Sequence, residues 1–218
     1  MQPHTVNRSA EIRNAFGEID IYLFDQLLRG RFDRRSRILD AGCGSGRNLV
    51  YFLRSGFDVF GIDRDPAAMA RVRALAAEIA PVLPAGHFQA GDLDSLPWAD
   101  EAVDAVVCSA VLHFADSEDH FGRMLMEMWR VLRPGGLFFA RLASVIGLER
   151  PVATDGNGRA RLPDGTVRFV VDEAMLLEWT ERLQAELLDP IKTTNVQNQR
   201  CMTTWVLQKR HTPQSQQK

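Results

Sequence analysis

Cysteine is scarce in this chain. Only Cys43, Cys108 and Cys201 are present, an odd and widely spaced set that fits neither a disulfide framework nor a zinc site. Cys43 and Cys108 fall in strand or turn contexts, where small buried thiols are common. An excess of one charge is also lacking: 26 basic and 28 acidic side chains leave a net −2, so no overall field favours nucleic acid or an anionic membrane. No apolar run reaches the roughly 18 residues of a membrane span. The opening Met-Gln-Pro-His-Thr-Val-Asn-Arg has no apolar core of the signal-peptide kind. Together these absences lead to the expectation of a cytoplasmic, metal-free protein with no nucleic-acid or membrane partner. What remains is the composition of an ordinary globule. At 218 residues it suits one large α/β domain, with little room for a second.

Residues 37–46 read Arg-Ile-Leu-Asp-Ala-Gly-Cys-Gly-Ser-Gly. Ile38 and Leu39 suit the end of a buried strand, and Arg47 to Leu53 reads as a helix. Glycines between strand and helix let a ligand approach bare backbone, because no Cβ stands in the way. A helix N-terminus then offers unpaired N–H groups to electron-rich ligand atoms. Seventeen residues beyond Gly46, at the end of a second apolar run, stands Asp63. An acid there suits two ribose hydroxyls, as in dinucleotide folds. The pattern points to an adenosine-containing ligand. The dinucleotide fingerprint, however, has its third glycine where this chain has Arg47. Asp40 also precedes the set, and a pyrophosphate does not favour a nearby carboxylate, whereas a ligand with sulfonium and ammonium charges does.

Asp40, Gly42, Gly44 and Gly46 in the order Asp-x-Gly-x-Gly-x-Gly resemble the first motif of class I S-adenosylmethionine-dependent methyltransferases. The resemblance continues over residues 36–144. Asp63, with Arg64 beside it, matches the family's ribose-binding acid. Phe88 to Leu93 looks like the third strand and the adenine-edge motif, with Asp92 meeting the adenine amino group and the Leu93 N–H a ring nitrogen. Val103 to Ser109 looks like the fourth strand, with backbone near Ser109 facing the methionine moiety. Arg130 to Leu137 resembles the helix-turn-strand before the fifth strand. Each motif is weak alone; their order and spacing carry the likeness. Gly44 to Asn48 is also similar to the tellurite-resistance type within the family. The resemblance implies a Rossmann-like, mostly parallel seven-stranded sheet flanked by helices, the last strand antiparallel. It also implies S-adenosylmethionine as cofactor, S-adenosylhomocysteine as product and a small-molecule methyl acceptor. The oligomeric state stays open.

Domain organisation is expected as an N-terminal helical segment (1–35), a methyltransferase domain (36–210) with an insertion at 145–170, and a disordered tail (211–218). Ile12, Phe16, Ile19, Leu23 and Leu27 place one apolar face on the first segment. Five arginines between positions 29 and 37 read as a solvated link, or as a contact for an acidic partner. Asp65-Pro66, Ser117 and Asp172 open helices, and Pro134-Gly135-Gly136 closes one. The turn residues of 145–168 predict a hairpin around Pro163-Asp164-Gly165, either a substrate lid or a surface excursion. Two strands close the chain near 186–196 and 201–209.

Three residues are candidates for work on the acceptor. His113, after the fourth strand, titrates in the range of a general base, or packs over the cofactor. Tyr22 either closes over the methyl group or sits at the core edge. Arg141 interrupts an apolar strand, so it needs a partner: a substrate anion or a structural carboxylate. His87 and His120 read as surface residues. Two rival functions remain: a nicotinamide-dependent oxidoreductase, disfavoured by Asp40 and Arg47, and a non-catalytic protein that keeps the cofactor fold.

Overall fold

The computed structural model describes residues 8–33 and 36–211. The tail from 212 on, residues 1–7 and two members of the arginine run, Arg34 and Arg35, lie outside the described residues. The elements in chain order are α1 (Arg8–Phe16), α2 (Ile21–Leu28), β1 (Arg37–Ala41), α3 (Val50–Arg54), β2 (Asp58–Asp63), α4 (Pro66–Ile79), β3 (Phe88–Ala90) and β4 (Val103–Ser109). There follow α5 (Glu118–Val131), β5 (Leu132–Ser144), β6 (Arg159–Arg161), β7 (Val167–Phe169), α6 (Glu173–Arg182), β8 (Ala185–Leu187), β9 (Lys192–Val196) and β10 (Arg200–Lys209).

The main sheet runs β3-β2-β1-β4-β5-β10-β8. The pairings from β3 to β5 are parallel, and β10 lies antiparallel to β5, β8 and β9. Since β8 and β9 share the outer edge of β10, the eight strands occupy seven positions. This is the mostly parallel sheet with antiparallel closing strands that the sequence leads one to expect. Both faces are covered. Ile38, Val59, Val107 and Phe139 meet Leu23, Phe52, Met69 and Val72 on one side. Leu39, Val106, Phe138 and Trp205 meet Phe121, Leu125, Leu176 and Trp179 on the other. The period-two alternation of a strand sends neighbours to opposite faces, and burial of both makes β1 and β4 continuously apolar.

Capping holds as read. Asp65 accepts from the Ala67 amide, Ser117 from His120 and Asp172 from Met175. The hairpin at 163–165 also forms, with Arg159 opposite Phe169 and Arg161 opposite Val167. Helix α5 ends at Val131, ahead of Pro134-Gly135-Gly136.

Four local expectations need correction. The N-terminal segment is two helices, broken at Gly17 (φ 66°) and restarted by Asp20, whose carboxylate caps the Tyr22 amide; Ile12 is 61% exposed, so the apolar stripe does not run through α1. The Arg31 side chain, 19% exposed, is half-buried against Asp189 and not solvated, while the Arg29 and Arg37 side chains stay exposed but are paired with Asp189 and Asp104. The strand expected over 186–196 is two strands. Pro190 has no N–H for a ladder, and Asp189 spends its oxygens on Arg31 and Gln26. The helix expected from Arg47 starts only at Val50, because Gly44 (φ 52°) and Gly46 (φ 85°) hold left-handed backbone that no right-handed helix admits. Among the described residues no helix is long and apolar enough to cross a membrane.

Candidate active site

The carboxyl ends of β1, β2, β3 and β4 open into a cavity of about 520 Å³, the place where open α/β sheets bind ligands. Its wall includes Gly42, Gly44, Asp63, Arg64, Asp92, Leu93 and Ser109. Seven of the nine residues expected to hold the cofactor therefore meet around one space, although they come from four separate stretches of chain.

The first loop is shaped by its glycines. Gly42 has φ 77°, and a Cβ there would stand 2.4 Å from the Val111 side chain. Gly44 differs: nothing lies within 4 Å of the position its Cβ would take, so its backbone faces open space. Asp63 fixes this loop. Its Oδ2 accepts from the Gly44 amide and its Oδ1 from the Asp65 amide, each at 2.9 Å. Few of the loop's N–H groups are bare: Gly42 and Cys43 donate to the Ile62 carbonyl, Gly44 to Asp63 and Gly46 to the Cys43 carbonyl. Gly46 is not on the wall; a Cβ there would come within 3.1 Å of Leu75, so its role is close packing of the loop on α4.

Asp40 lies behind the wall, 2% exposed, and its Oδ2 has no hydrogen-bond partner. Burial raises its pKa to about 7; the Arg47 charge opposes that rise and the Asp63 charge adds to it. A buried, half-satisfied carboxylate beneath a glycine cradle is costly on its own and suits a cationic ligand above it.

The three acceptor candidates are placed differently from one another. His113 does not line the cavity. It is 6% exposed, its Nδ1 accepts from the Ala143 amide at 3.3 Å, and burial with the nearby charges of Arg168 and Arg141 holds its pKa down at about 4. Its neighbour Phe114 is on the wall instead, because successive residues of a 3₁₀ turn point about 120° apart. A neutral imidazole with Nδ1 engaged and Nε2 protonated is not a base at neutral pH. Arg141 meets a structural carboxylate: its Nη1 donates to Asp20 Oδ2 at 3.1 Å. Tyr22 stacks beneath the Arg141 guanidinium, 5.1 Å from ring centroid, and shares a short hydrogen bond with Thr194.

Sequence reasoning missed several residues of this site. Asp20 is the hub: Ser109 Oγ donates to its Oδ2 at 3.2 Å, Arg141 donates to the same oxygen, and Arg47 Nη2 stands 3.7 Å away. Arg47 and Asn48 line the cavity, and Asn48 Oδ1 accepts from the Asp20 amide at 3.0 Å. His120, read as a surface residue, is on the wall with Nδ1 accepting from the Asp116 amide at 3.2 Å. Ala110, also on the wall, holds left-handed backbone at φ 64°, a strain typical of functional sites. The one available signal was Asp20 as a helix cap; nothing local told that its second oxygen would face β4 and β5. The insertion contributes no wall residue, but Arg168 stacks on Phe114 at 4.7 Å and Phe169 on Phe121 at 5.1 Å, so it buttresses the wall from outside.

Residues 39–140 match the family of methyltransferase domains. Malonyl-[acyl-carrier protein] O-methyltransferase of Pectobacterium atrosepticum is 34% identical over 108 residues, which are 49% of this chain and 39% of that protein. The chain thus spans well under half the length of that relative. Among solved structures, a SAM-dependent methyltransferase of Methanosarcina mazei superposes with a TM-score of 0.69 at 20% identity, over 85% of this chain and 98% of that one. The 1,6-didemethyltoxoflavin-N1-methyltransferase of Burkholderia thailandensis, solved with S-adenosylhomocysteine, superposes with a TM-score of 0.65 at 20% identity, over 94% and 83%. Residues 39–140 thus match a methyltransferase domain, and the fold is that of solved S-adenosylmethionine-dependent methyltransferases.

Proposed function

We propose that this protein transfers the methyl group of S-adenosylmethionine to a small-molecule acceptor. The observation that carries the reading is the convergence of Gly44, Asp63, Asp92, Leu93 and Ser109 on one cavity. The residues fit the cofactor. Gly44 leaves room for it, and Asp63 keeps a second lone pair on each oxygen for ribose hydroxyls after its two backbone bonds. Asp92 and the Leu93 amide are assigned to the adenine edge, Arg64 to the ribose flank, and the unpaired oxygen of Asp40 to the ligand's positive charge. Bound S-adenosylmethionine supplies a methyl group already activated by its sulfonium.

The chain's own contribution is then alignment and exclusion of water, worth up to about 7–11 kcal/mol in favourable cases. Arg47, Asn48, Ala110 and Val111 share the wall with Ser109 and none is a base at neutral pH; the imidazole on that wall is His120. His113 is assigned a packing role. An acceptor whose nucleophile needs no proton removed is served by alignment alone, and any other would have to present its proton to His120.

Calorimetric titration with S-adenosylmethionine, S-adenosylhomocysteine and NAD tests the cofactor; micromolar binding of the first two and none of NAD is the expected result. Release of S-adenosylhomocysteine over a panel of acceptors tests the transfer. Binding of NAD alone would return the chain to the oxidoreductases, and tight cofactor binding with no acceptor turned over would favour a non-catalytic role.

A further inference from the structure

Four strands carry one row of side chains across the sheet. Ser109 on β4 is in register with Arg141 on β5, Arg141 with Thr204 on β10, and Thr204 with Lys192 on β9. In-register partners present their side chains on the same face. The row begins on the cavity wall, at Ser109. Tyr22 lies over the rest of it: its ring is 5.1 Å from the Arg141 guanidinium and 5.9 Å from Lys192 Nζ, and its hydroxyl is tied to Thr194, two positions along β9 from Lys192.

Two donors in this row are buried and idle. Arg141 Nε has no hydrogen-bond partner, although Nη1 of the same guanidinium is engaged by Asp20. The Thr204 hydroxyl, on a residue 6% exposed, has none either. A buried donor left unmade costs about 1–3 kcal/mol, and here two of them stand in adjacent register positions. The charges are equally unbalanced. Arg47 and Arg141 share one carboxylate, Asp20, while Lys192, exposed beside the Tyr22 ring, forms no ion pair among the described residues. Two idle donors and a cation without an ion pair are what an anion with two oxygens would satisfy.

We infer that the Arg141–Thr204–Lys192 row under Tyr22 binds a carboxylate group of the methyl acceptor. This rests on the methyltransferase reading above and names its substrate class. The N–H of Arg141 Nε and the hydroxyl of Thr204 offer one donor to each carboxylate oxygen, and Lys192 completes the charge balance. A carboxylate is ionised at neutral pH.

The test is calorimetry on the full chain, with and without saturating S-adenosylhomocysteine, using benzoate, phenylacetate, octanoate and succinate, each beside its amide, and inorganic phosphate. At least one acid is expected to bind, with its amide weaker by about tenfold or more. Arg141→Gln should weaken that acid at least about tenfold, Thr204→Val about three- to tenfold and Lys192→Met about threefold, while S-adenosylhomocysteine affinity stays within about twofold. Thr204→Val is isosteric at an unpaired hydroxyl, so it keeps the test valid if Arg141→Gln fails to fold. Equal binding of acid and amide, no binding of any acid, tighter binding of phosphate, or full acid affinity in Thr204→Val would each overturn the proposal. Acid binding without S-adenosylhomocysteine binding would keep the subsite and overturn the cofactor reading; the reverse would do the opposite.

Discussion

The two ends of the cavity are built by different physics. At the cofactor end the determinants are backbone: left-handed glycines at 42 and 44, and a loop held by one carboxylate 19 positions from the amide it accepts. Beside Ser109, where we propose that the acceptor binds, they are side chains brought from afar: Arg141 reaches Asp20 across 121 positions and Tyr22 reaches Thr194 across 172. Glycine conformations and caps constrain a few consecutive residues, so a short motif can specify them. An ion pair between α2 and β5 exists only after the sheet has assembled.

Six substitutions break or sharpen the contrast. Asp20→Ala removes a 2%-exposed carboxylate side chain from Arg141 and Ser109, and loss of one partner of a buried pair costs about 3–5 kcal/mol. Urea unfolding should show it, with cofactor affinity falling less than about tenfold; a larger loss of cofactor than of stability would merge the two ends. Gly42→Ala forces a Cβ against Val111 at positive φ, at about 2–4 kcal/mol. Its cofactor affinity should drop about a hundredfold, whereas Gly44→Ala, with open space around it, should cost about 1 kcal/mol in folding and act mainly on binding.

Asp40→Asn tests the buried charge. Asp40 in the unfolded chain releases its proton near 3.8 and in the folded chain near 7, so folding takes up a proton between those values and stability falls as pH rises through them. The asparagine variant lacks that slope, and above pH 7 should gain on the order of 4 kcal/mol over the parent in thermal or urea unfolding. It should also bind S-adenosylmethionine worse relative to S-adenosylhomocysteine, since only the former carries the sulfonium. Asp63→Ala should weaken the cofactor about ten- to a hundredfold, by loss of the ribose contact and of the Gly44 anchor together; unchanged affinity would sink the assignment. His113→Gln should leave turnover and its pH profile within about twofold, because the imidazole is buried, neutral and off the wall. A lost limb of the pH profile in that variant would restore it as a base.

Legibility followed the same division. The order of strands, the caps at Asp65, Ser117 and Asp172 and the hairpin at 163–165 were all readable, because each rests on alternation or on one side chain meeting its own neighbours. The late start of α3, the break at Gly17 and the split of the final strands at Pro190 were missed where a local breaker outweighed an apolar pattern. At the site, Asp63, Asp92 and the glycines were found by motif. Of the two readings of His113 the structure places it in the packed interior, where the 3₁₀ turn aims it inward at Ala143, whereas the start of α5 brings His120, expected on a solvated turn, to the wall. Asp20 gave only a capping signal.

By itself the sequence determined the alternating α/β architecture, the glycine loop and the acids that face it, since φ preferences, period-two burial and capping act within a few residues. The tertiary structure alone decided that Asp20 would neutralise Arg141, that Phe114 rather than His113 would face the ligand, and that Arg141, Thr204 and Lys192 would stand in one row. Those outcomes depend on which strands lie side by side and in what register, and register is set by the packing of the whole sheet, not by any stretch of chain read alone.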